Sequence, residues 1–239
     1  MKSLFILPFI FLQNSIIAQS NGHTDLKEYG FKGKIKRVTT LNYTNLKVIN
    51  GEWQPINDSL WSSRTIFDFN TEGNFLQTTT TAKPQGNITS STTLVTKHLY
   101  SNGSHSAKEY DINGLLHTTI KYEWFSKTSY NVIAYDINGK IDFTSKTQLD
   151  ESFRDLSGEF MQYAGGDNVN YGYKYQNTID SNNRLTKAIR TYIKDNTREE
   201  TYFTYKKFDS NKNPIKIVFS HSKDGVPFRI VTRIFEYYY

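Results

Sequence analysis

The histidines come closest to a catalytic or metal-binding pattern in this chain. Cysteine is absent, so there is no thiolate nucleophile or ligand, and no His-Glu-x-x-His zinc pattern occurs. His98 and His105 flank Asn102-Gly103, a hairpin-turn sequence, and a hairpin there could bring them close to each other. A pocket joining these residues or His117 to distant carboxylates would indicate a hydrolase. Two polar residues beside an exposed turn are the simpler interpretation.

Two segments resemble the first half of a calcium-binding loop. Asp68 to Gly73 places oxygen-bearing side chains at alternating positions before a glycine. Thr79 stands where the closing glutamate would be, and Lys212 interrupts the similar run from Asp209 to Asn213. Hairpin turns use the same residue types for backbone reasons. The sequence therefore predicts no metal, no cofactor and no catalytic residues.

Aromatic residues are abundant, with 17 Tyr, 16 Phe and 3 Trp. Tyr and Trp exposed on a β-surface can stack on sugar rings, whereas cross-strand aromatic pairs also stabilise a large sheet. Three of the tyrosines lie two residues apart and share one face of a strand. The candidate ligand-facing aromatics are Trp53, Trp61, Trp124, Tyr171, Tyr173 and Tyr175.

These side chains must be positioned by β-strands, because apolar residues alternate with polar ones and no window keeps a helical period. Thr, Tyr, Phe, Ile and Val dominate, as suits a pleated and half-buried surface. Leu149 to Leu156 is the one place where a short helix is allowed. The alternation predicts strands at 35–43, 116–124, 141–149, 185–193, 215–219 and 228–238.

Turn signals of the form Tyr-Asp-x-x-Gly separate the strands. The Asp side chain can bind backbone amides two residues on, and Gly or Asn accepts the positive φ of a hairpin turn. Weaker versions lie at 69–75, 179–185 and 208–215, and unmarked turns are expected at Asn102-Gly103 and at 165–167. The two clearest copies use Tyr110, Asp111 and Gly114, and Tyr135, Asp136 and Gly139.

Together these patterns predict an all-β fold, an antiparallel meander of hairpins with roughly a dozen strands or more, curled into a partly open barrel or a wrapped single sheet because strand twist accumulates. The concave side should hold the apolar residues. Residues 20–239 are expected to form a single domain, closed at its edges by the terminal strands or blunted there by Lys.

The first 19 residues are typical of a secretory signal peptide. Lys2 is followed by an apolar run from Leu4 to Leu12 and by a small residue, Ala18. The run is short for a bilayer span, which needs about 20 residues. A buried strand or an uncleaved anchor is the alternative. The protein is therefore expected to be exported, whether periplasmic, on the outer surface or secreted, with no membrane span after cleavage.

Charge excludes one class of partner. The net charge is +6, yet basic residues are scattered along the chain. Nucleic-acid binding usually needs a concentrated basic face, so we expect no nucleic-acid partner. The expected partner is a protein or a glycan at the cell surface or in the periplasm, and the oligomeric state is open.

The turn motif resembles the YD repeats of the Rhs family of large bacterial surface and toxin-shell proteins. It is most similar to short exported proteins of Bacteroidetes-type bacteria, in which a segment like Leu26–Val38 precedes a few degenerate copies. The resemblance covers most of residues 26–239 and implies a curled antiparallel sheet. It implies little about activity, since no toxin or protease domain follows.

For function, the sequence favours a non-catalytic binding or interaction module of the cell envelope. The alternative is an extracytoplasmic hydrolase with an unrecognised site. An aromatic patch in a coherent concave groove would favour binding of a glycan. A pocket that joins histidines to carboxylates would favour the enzyme.

Overall fold

The computed structural model describes residues 22–83, 90–101, 104–164 and 168–239. These residues form an antiparallel all-β meander with one short helix, α1 (Asp25–Glu28). The proposed signal peptide and both unmarked turns, 102–103 and 165–167, lie outside the described residues. The strands are β1 (Ile35–Tyr43), β2 (Leu46–Ile49), β3 (Glu52–Pro55), β4 (Ser63–Phe69), β5 (Phe75–Ala82), β6 (Thr92–Ser101), β7 (Ser104–Asp111), β8 (Leu116–Ser126), β9 (Ser129–Asp136), β10 (Ile141–Leu149), β11 (Asp155–Tyr163), β12 (Val169–Ile179), β13 (Leu185–Tyr192), β14 (Arg198–Phe208), β15 (Pro214–Ser220) and β16 (Pro227–Tyr237).

Fourteen of the described strands close into a barrel. The order is β1-β16-β15-β14-β13-β12-β11-β10-β9-β8-β7-β6-β5-β4, and β4 returns to β1. The predicted partly open barrel or wrapped sheet is therefore wrong in one respect, because the sheet is closed. Closure follows from the ends of the chain: β1 pairs with β16 from Ile35–Tyr237 to Tyr43–Ile230. Strands β2 and β3 form a separate hairpin that contacts β16.

Alternation along the strands separates an inner face from an outer one. Ala107, Ile120 and Ala134 pair across β7, β8 and β9 and form a buried cluster inside the barrel. Lys108 and Lys121, which alternate with them, are exposed on the outside. The six strands predicted from alternation coincide with β1, β8, β10, β13, β15 and β16 within two residues.

The hairpin turns share one geometry. Asp111 Oδ1 accepts hydrogen bonds from the backbone nitrogens of Asn113 at 2.9 Å and Leu115 at 2.8 Å, and Gly114 has φ +85°. Such a side chain replaces backbone partners that the turn leaves open. The same pair of bonds is made by Asn70, Asp136, Asp150 and Asp180.

The short helix allowed between Leu149 and Leu156 is absent, and this prediction is wrong. The segment is another turn of the same kind, in which Phe153 takes φ +65° in the place of glycine. Asp150 accepts from Ser152 and Arg154. Without a glycine, the turn could not be recognised from the residue types.

A cap segment (residues 22–34) occupies one end of the barrel, the cap end, where the turns 70–74, 150–154, 180–184 and 209–213 also lie. α1 lies within it and begins after Thr24, whose Oγ1 accepts a hydrogen bond from Lys27 N at 3.3 Å. Leu26 and Phe31 are buried with Ile35, Val38 and Phe69. No helix in the described ranges is long and apolar enough to cross a membrane.

Candidate functional site

The first anchor of the cap segment is Asp25. Its Oδ2 accepts hydrogen bonds from Phe75 N and from the Tyr100 hydroxyl, both at 2.6 Å. Burial raises the pKa of this carboxyl to about 6, although both hydrogen bonds oppose the shift. Leu26 N also donates to Gly73 O at 3.0 Å. One side of the cap segment is thus fixed to the walls at β5 and β6.

Glu28 forms the second anchor. Its Oε1 accepts from the Tyr130 hydroxyl at 2.7 Å, and its Oε2 lies 2.9 Å from His23 Nε2. The His23 ring in turn packs edge-on against Trp124, with centroids 4.8 Å apart. Both carboxylates of α1 therefore point into the barrel and meet tyrosines of the wall.

Asn213 forms the third anchor, at the turn between β14 and β15. Its Oδ1 accepts from Lys32 N at 2.7 Å, and its Nδ2 donates to Lys32 O at 2.8 Å. The Asn213 side chain is fully buried and also donates to the Tyr237 hydroxyl at 2.8 Å. The cap segment is held from both sides of the barrel mouth.

His98 and His105 meet inside the barrel, so the simpler interpretation of two polar residues beside an exposed turn is wrong, and Nδ1 of His98 lies 3.0 Å from Nε2 of His105. The His105 ring stacks between Tyr122 and Tyr100, with centroids 3.6 and 4.2 Å away. Burial lowers the pKa of His98 to about 4 and that of His105 to about 2, so both are neutral near pH 7. His117 is exposed and lies apart from them.

A cavity of about 620 Å³ lies between the cap segment and strands β11 to β16. Its floor is apolar and consists of Phe203, Ile217 and Phe219. Tyr29 of the cap segment borders it and keeps 45% of its surface exposed, although its ring packs on Phe67 and Phe75 inside the barrel. A half-uncovered aromatic ring within a barrel indicates a space that a ligand can fill.

The charges around this large cavity are mostly positive. Five cationic side chains line it, against two carboxylates, Glu28 and Asp155. Burial raises the pKa of Asp155 to about 7, against a hydrogen bond of 3.0 Å from the Tyr175 hydroxyl. The cations are Lys32, Arg154, Arg184, Lys212 and Arg233.

A smaller cavity of about 180 Å³ lies on the other side of α1. His23, Asp25, Glu28 and His105 border it. Their polar atoms are largely bound to one another and to the wall, as described above. No group of three His, Asp or Glu side chains suited to a metal ion occurs in the part of the chain that the structure describes.

The six aromatics predicted to face a ligand do not form one surface. Trp53 lies on the β2–β3 hairpin, and Trp61 lies before β4 under the Lys83 ammonium, 4.0 Å from the ring centroid. Trp124 borders the small cavity. Tyr171, Tyr173 and Tyr175 share the inner face of β12, where Tyr173 stacks on Phe160. None of the six lines the large cavity, and their ligand role stays a prediction.

The motif tyrosines lie on the outer face. Lys97 Nζ is 5.5 Å from the centroid of Tyr110, and Lys121 Nζ is 5.3 Å from that of Tyr135. Such cation–π contacts at exposed sites contribute about 0.5–1 kcal/mol. Asp111, Gly114, Asp136 and Gly139 form the turns already described. The motif thus has a structural role in the described barrel.

Sequence reasoning missed the residues that line the large cavity. Arg154 and Arg233 are single basic residues within strand or turn sequences, and nothing in their neighbours separates them from the exposed lysines. Tyr29 was singled out by the sequence only as part of the segment Leu26–Val38. The site is assembled by closure of the barrel, which local patterns do not reveal.

No family model matches the chain, and no curated protein matches it. Among solved structures, the chain is similar to a porin-like protein from Bacteroides uniformis ATCC 8492. The two are 14% identical, and the TM-score is 0.44. The similarity covers 84% of this chain and 98% of that one.

Proposed function

We propose that this chain is an exported, non-catalytic binding module that holds a small ligand inside its barrel. The observation that carries this proposal is the cavity of about 620 Å³ beside the cap segment, with the half-exposed Tyr29 at its wall. Pockets for small ligands typically measure about 300–1,000 Å³ and are mostly apolar with a few polar groups. The volume and the apolar floor of this cavity fit that description.

The outer face supports an aqueous setting for the barrel. A barrel in lipid carries an apolar outward band about 25 Å tall. On five of the described barrel strands, β6, β7, β8, β10 and β12, an outward position near the middle of the strand is an exposed lysine. These lysines are Lys97, Lys108, Lys121, Lys146 and Lys174. We infer that the barrel stands in water, and the signal peptide that the sequence predicts at residues 1–19 supports a compartment outside the inner membrane.

The alternative is an extracytoplasmic hydrolase, and the small cavity is the observation in its favour. His105 borders that cavity together with Asp25 and Glu28. However, both carboxylates accept hydrogen bonds from tyrosines of the wall, and His105 is stacked between Tyr100 and Tyr122. A base that is held in this way has little room to reach a substrate. The binding module is therefore the better-supported function.

The test is titration of the purified chain with N-phenyl-1-naphthylamine, an uncharged aromatic probe whose emission rises in apolar surroundings. Leu185 lines the cavity, so Leu185→Trp should fill part of it and lower the affinity about tenfold, or by about 1.4 kcal/mol. Ile189→Trp is the matched control, because Ile189 lies on the same strand and pairs with the outward Gln176 and Glu200. Its affinity should equal that of the unmodified chain.

Two results would contradict the proposal. One is the absence of saturable probe binding by a chain whose folded state is verified by circular dichroism. The other is an equal loss of affinity in both tryptophan variants, since that would separate binding from the cavity.

A further inference from the structure

The two arginines inside the large cavity have no carboxylate partner among the described residues. Neither Arg154 nor Arg233 makes an ion pair, and the Nε of each is buried without a hydrogen-bond partner. Arg154 is only 7% exposed. Arg184, at the edge of the same cavity, shows the usual solution: its guanidinium is bound to Asp180 at 2.8 Å. A buried cation without such a partner is unfavourable by several kcal/mol unless something else compensates it.

Packing around the two guanidinium groups directs them to the cavity. Arg233 lies over the Phe31 ring, 5.1 Å from its centroid, and Arg154 lies directly against Gly30. A Cβ at Gly30 would stand 2.7 Å from Arg154 Cζ, so a larger residue there would displace the guanidinium. The cap segment therefore covers one side of each arginine, and the cavity borders both residues.

The carboxylates of the cavity do not neutralise the arginines. Glu28 is bound to Tyr130 and His23, and Asp155 is bound to Tyr175. Neither comes within 4.0 Å of Arg154 or Arg233. Since burial raises the pKa of Asp155 to about 7, a large fraction of it is uncharged at neutral pH. The interior keeps an excess of positive charge.

The same cavity offers an apolar space deeper in the barrel. Ile217 pairs with Val231, and Phe219 pairs with Arg229, so these residues lie two and four positions further from the cap end than Arg233. Phe203 pairs with Phe219 and completes this floor. Lys32 and Lys212 are exposed at the cap end, where they would attract an anion before it enters.

We propose that the ligand is an amphipathic oxyanion, with a carboxylate or phosphate headgroup at Arg154 and Arg233 and an apolar body against Phe203, Ile217 and Phe219. The guanidinium group is well suited to this headgroup, because its donors match both oxygens of a carboxylate or phosphate. This proposal rests on the proposed function, because it names the class of ligand that the same cavity would take.

The experiment compares decanoate, decyl phosphate, decanol and decyltrimethylammonium as displacers of N-phenyl-1-naphthylamine from the full chain. The four share one apolar chain and differ in the headgroup. We expect at least one of the two anions to displace the probe about tenfold more effectively than decanol, and the cation to be the weakest. Relative affinities of decanoate and decyl phosphate distinguish a carboxylate source from a phosphate source.

Variants locate the headgroup. Arg233→Gln and Arg154→Gln should each lower anion affinity about tenfold and leave decanol affinity unchanged. Arg229→Gln is the matched control, because Arg229 lies on the same strand as Arg233, is also inside the barrel, and packs over Phe219 without lining the cavity. It should keep the preference for anions. Arg233→Lys, which retains the positive charge, should keep part of the preference for anions.

The outcomes separate the two proposals. If the probe and decanol bind but no anion is preferred, or if Arg229→Gln loses as much as Arg233→Gln, the anion proposal is wrong and the binding module stands. If no probe binds to the folded chain, both are wrong.

Discussion

The side chain of Asn213 binds both backbone groups of Lys32, 181 residues earlier in the chain, at 2.7 and 2.8 Å. The amide side chain of Asn213 thus satisfies one backbone donor and one backbone acceptor of the cap segment, as a neighbouring strand does at the edge of a sheet. It also joins the cap segment to the turn between β14 and β15, beside the mouth of the large cavity.

Asn213→Ala should loosen the cap segment. The change removes both bonds and leaves two backbone groups partly buried, at a cost of about 2–3 kcal/mol in the free energy of unfolding. Urea unfolding measures the loss, and amide hydrogen exchange at residues 22–34 should accelerate more than exchange in β8 or β9. Asn182→Ala, at an exposed position in the equivalent turn of β12 and β13, is the control. Equal effects of the two changes would contradict the anchoring role.

Asp25→Asn should be more stable than the unmodified protein, by an amount that grows as pH rises from 4 to 7. The folded pKa of Asp25 is raised to about 6 from 3.8, so the native state binds the extra proton and loses stability while this carboxyl ionises. The shift corresponds to about 3 kcal/mol. Urea unfolding of both proteins at pH 4 and pH 7 gives the difference.

The control for Asp25 is Asp111→Asn. Backbone hydrogen bonds from Leu115 and Asn113 lower the pKa of Asp111 from 3.8. The contribution of this carboxylate to the free energy of unfolding is therefore lost only as pH falls below 3.8. The difference in unfolding free energy between Asp111→Asn and the unmodified protein should be constant between pH 4.5 and 7. A flat profile for Asp25→Asn over the same range would mean that Asp25 is not buried as described.

His105→Phe should make the protein less sensitive to mild acid. Phenylalanine can keep the stack between Tyr100 and Tyr122. Since burial lowers the pKa of His105 to about 2, the unfolded chain alone takes up this proton below pH 6.5, and stability falls as pH drops. At pH 5 this loss amounts to about 2 kcal/mol.

The measurement for His105 is the change in unfolding free energy between pH 8 and pH 5. The fall in unfolding free energy from pH 8 to pH 5 should be about 2 kcal/mol smaller in His105→Phe than in the unmodified protein. His117→Phe is the control for removing one histidine from an exposed position. Identical pH dependence in His105→Phe and the unmodified chain would place His105 in contact with water.

Arg233→Met should raise the melting temperature of the empty protein. Burial lowers the pKa of Arg233 to about 10, which indicates an unfavourable environment for its charge. An apolar side chain of similar length removes that cost, with a gain of about 1–3 kcal/mol. Arg37→Met is the control, since Arg37 is paired on the outer face with Asp68 at 2.6 Å. A fall in melting temperature for Arg233→Met would indicate a partner for Arg233 inside the barrel.

Anion binding should weaken as pH rises through 7. Asp155 becomes charged in that range because burial raises its pKa to about 7, and its carboxylate then repels an anion in the same cavity. The groups that face it there are Glu28, Tyr29, Tyr175 and Arg154. Decanoate affinity should fall severalfold between pH 6 and pH 8, and Asp155→Asn should remove the dependence. The same slope in Asp155→Asn would assign the effect to another group.

Much of the fold was predictable because it is encoded locally. Alternation identifies β1 from Ile35 to Tyr43 without error, and the turn at Asp111–Gly114 has the residue types its backbone requires. The turn at Asp150 was missed because Phe153 adopts a conformation that is unfavourable for its type. Where the shape of a turn is imposed by the barrel, residue preference does not reveal it.

Closure and the cavity depend on distant residues. Lys32 and Asn213 meet only in the finished barrel, and Arg154 and Arg233 line one cavity only there. The approach of His98 and His105 was predictable, since one hairpin brings them together, but their enclosure by Tyr100 and Tyr122 was not. The ligand-facing aromatics were chosen by residue type and, for the three tyrosines of β12, by their shared strand face. Neither criterion separates the inner face of β12 from the wall of the cavity.

The pairing of β1 with β16 also sets the order in which the protein can mature. Strand β1 can pair with β16 only after about 190 further residues have been made, so both strands remain open edges until then. The end of the barrel that the cap segment occupies is incomplete until the turn at Asn213 has formed. The ligand binding that we propose is therefore restricted to the finished molecule, because an interrupted chain carries the cations without the closed barrel around them.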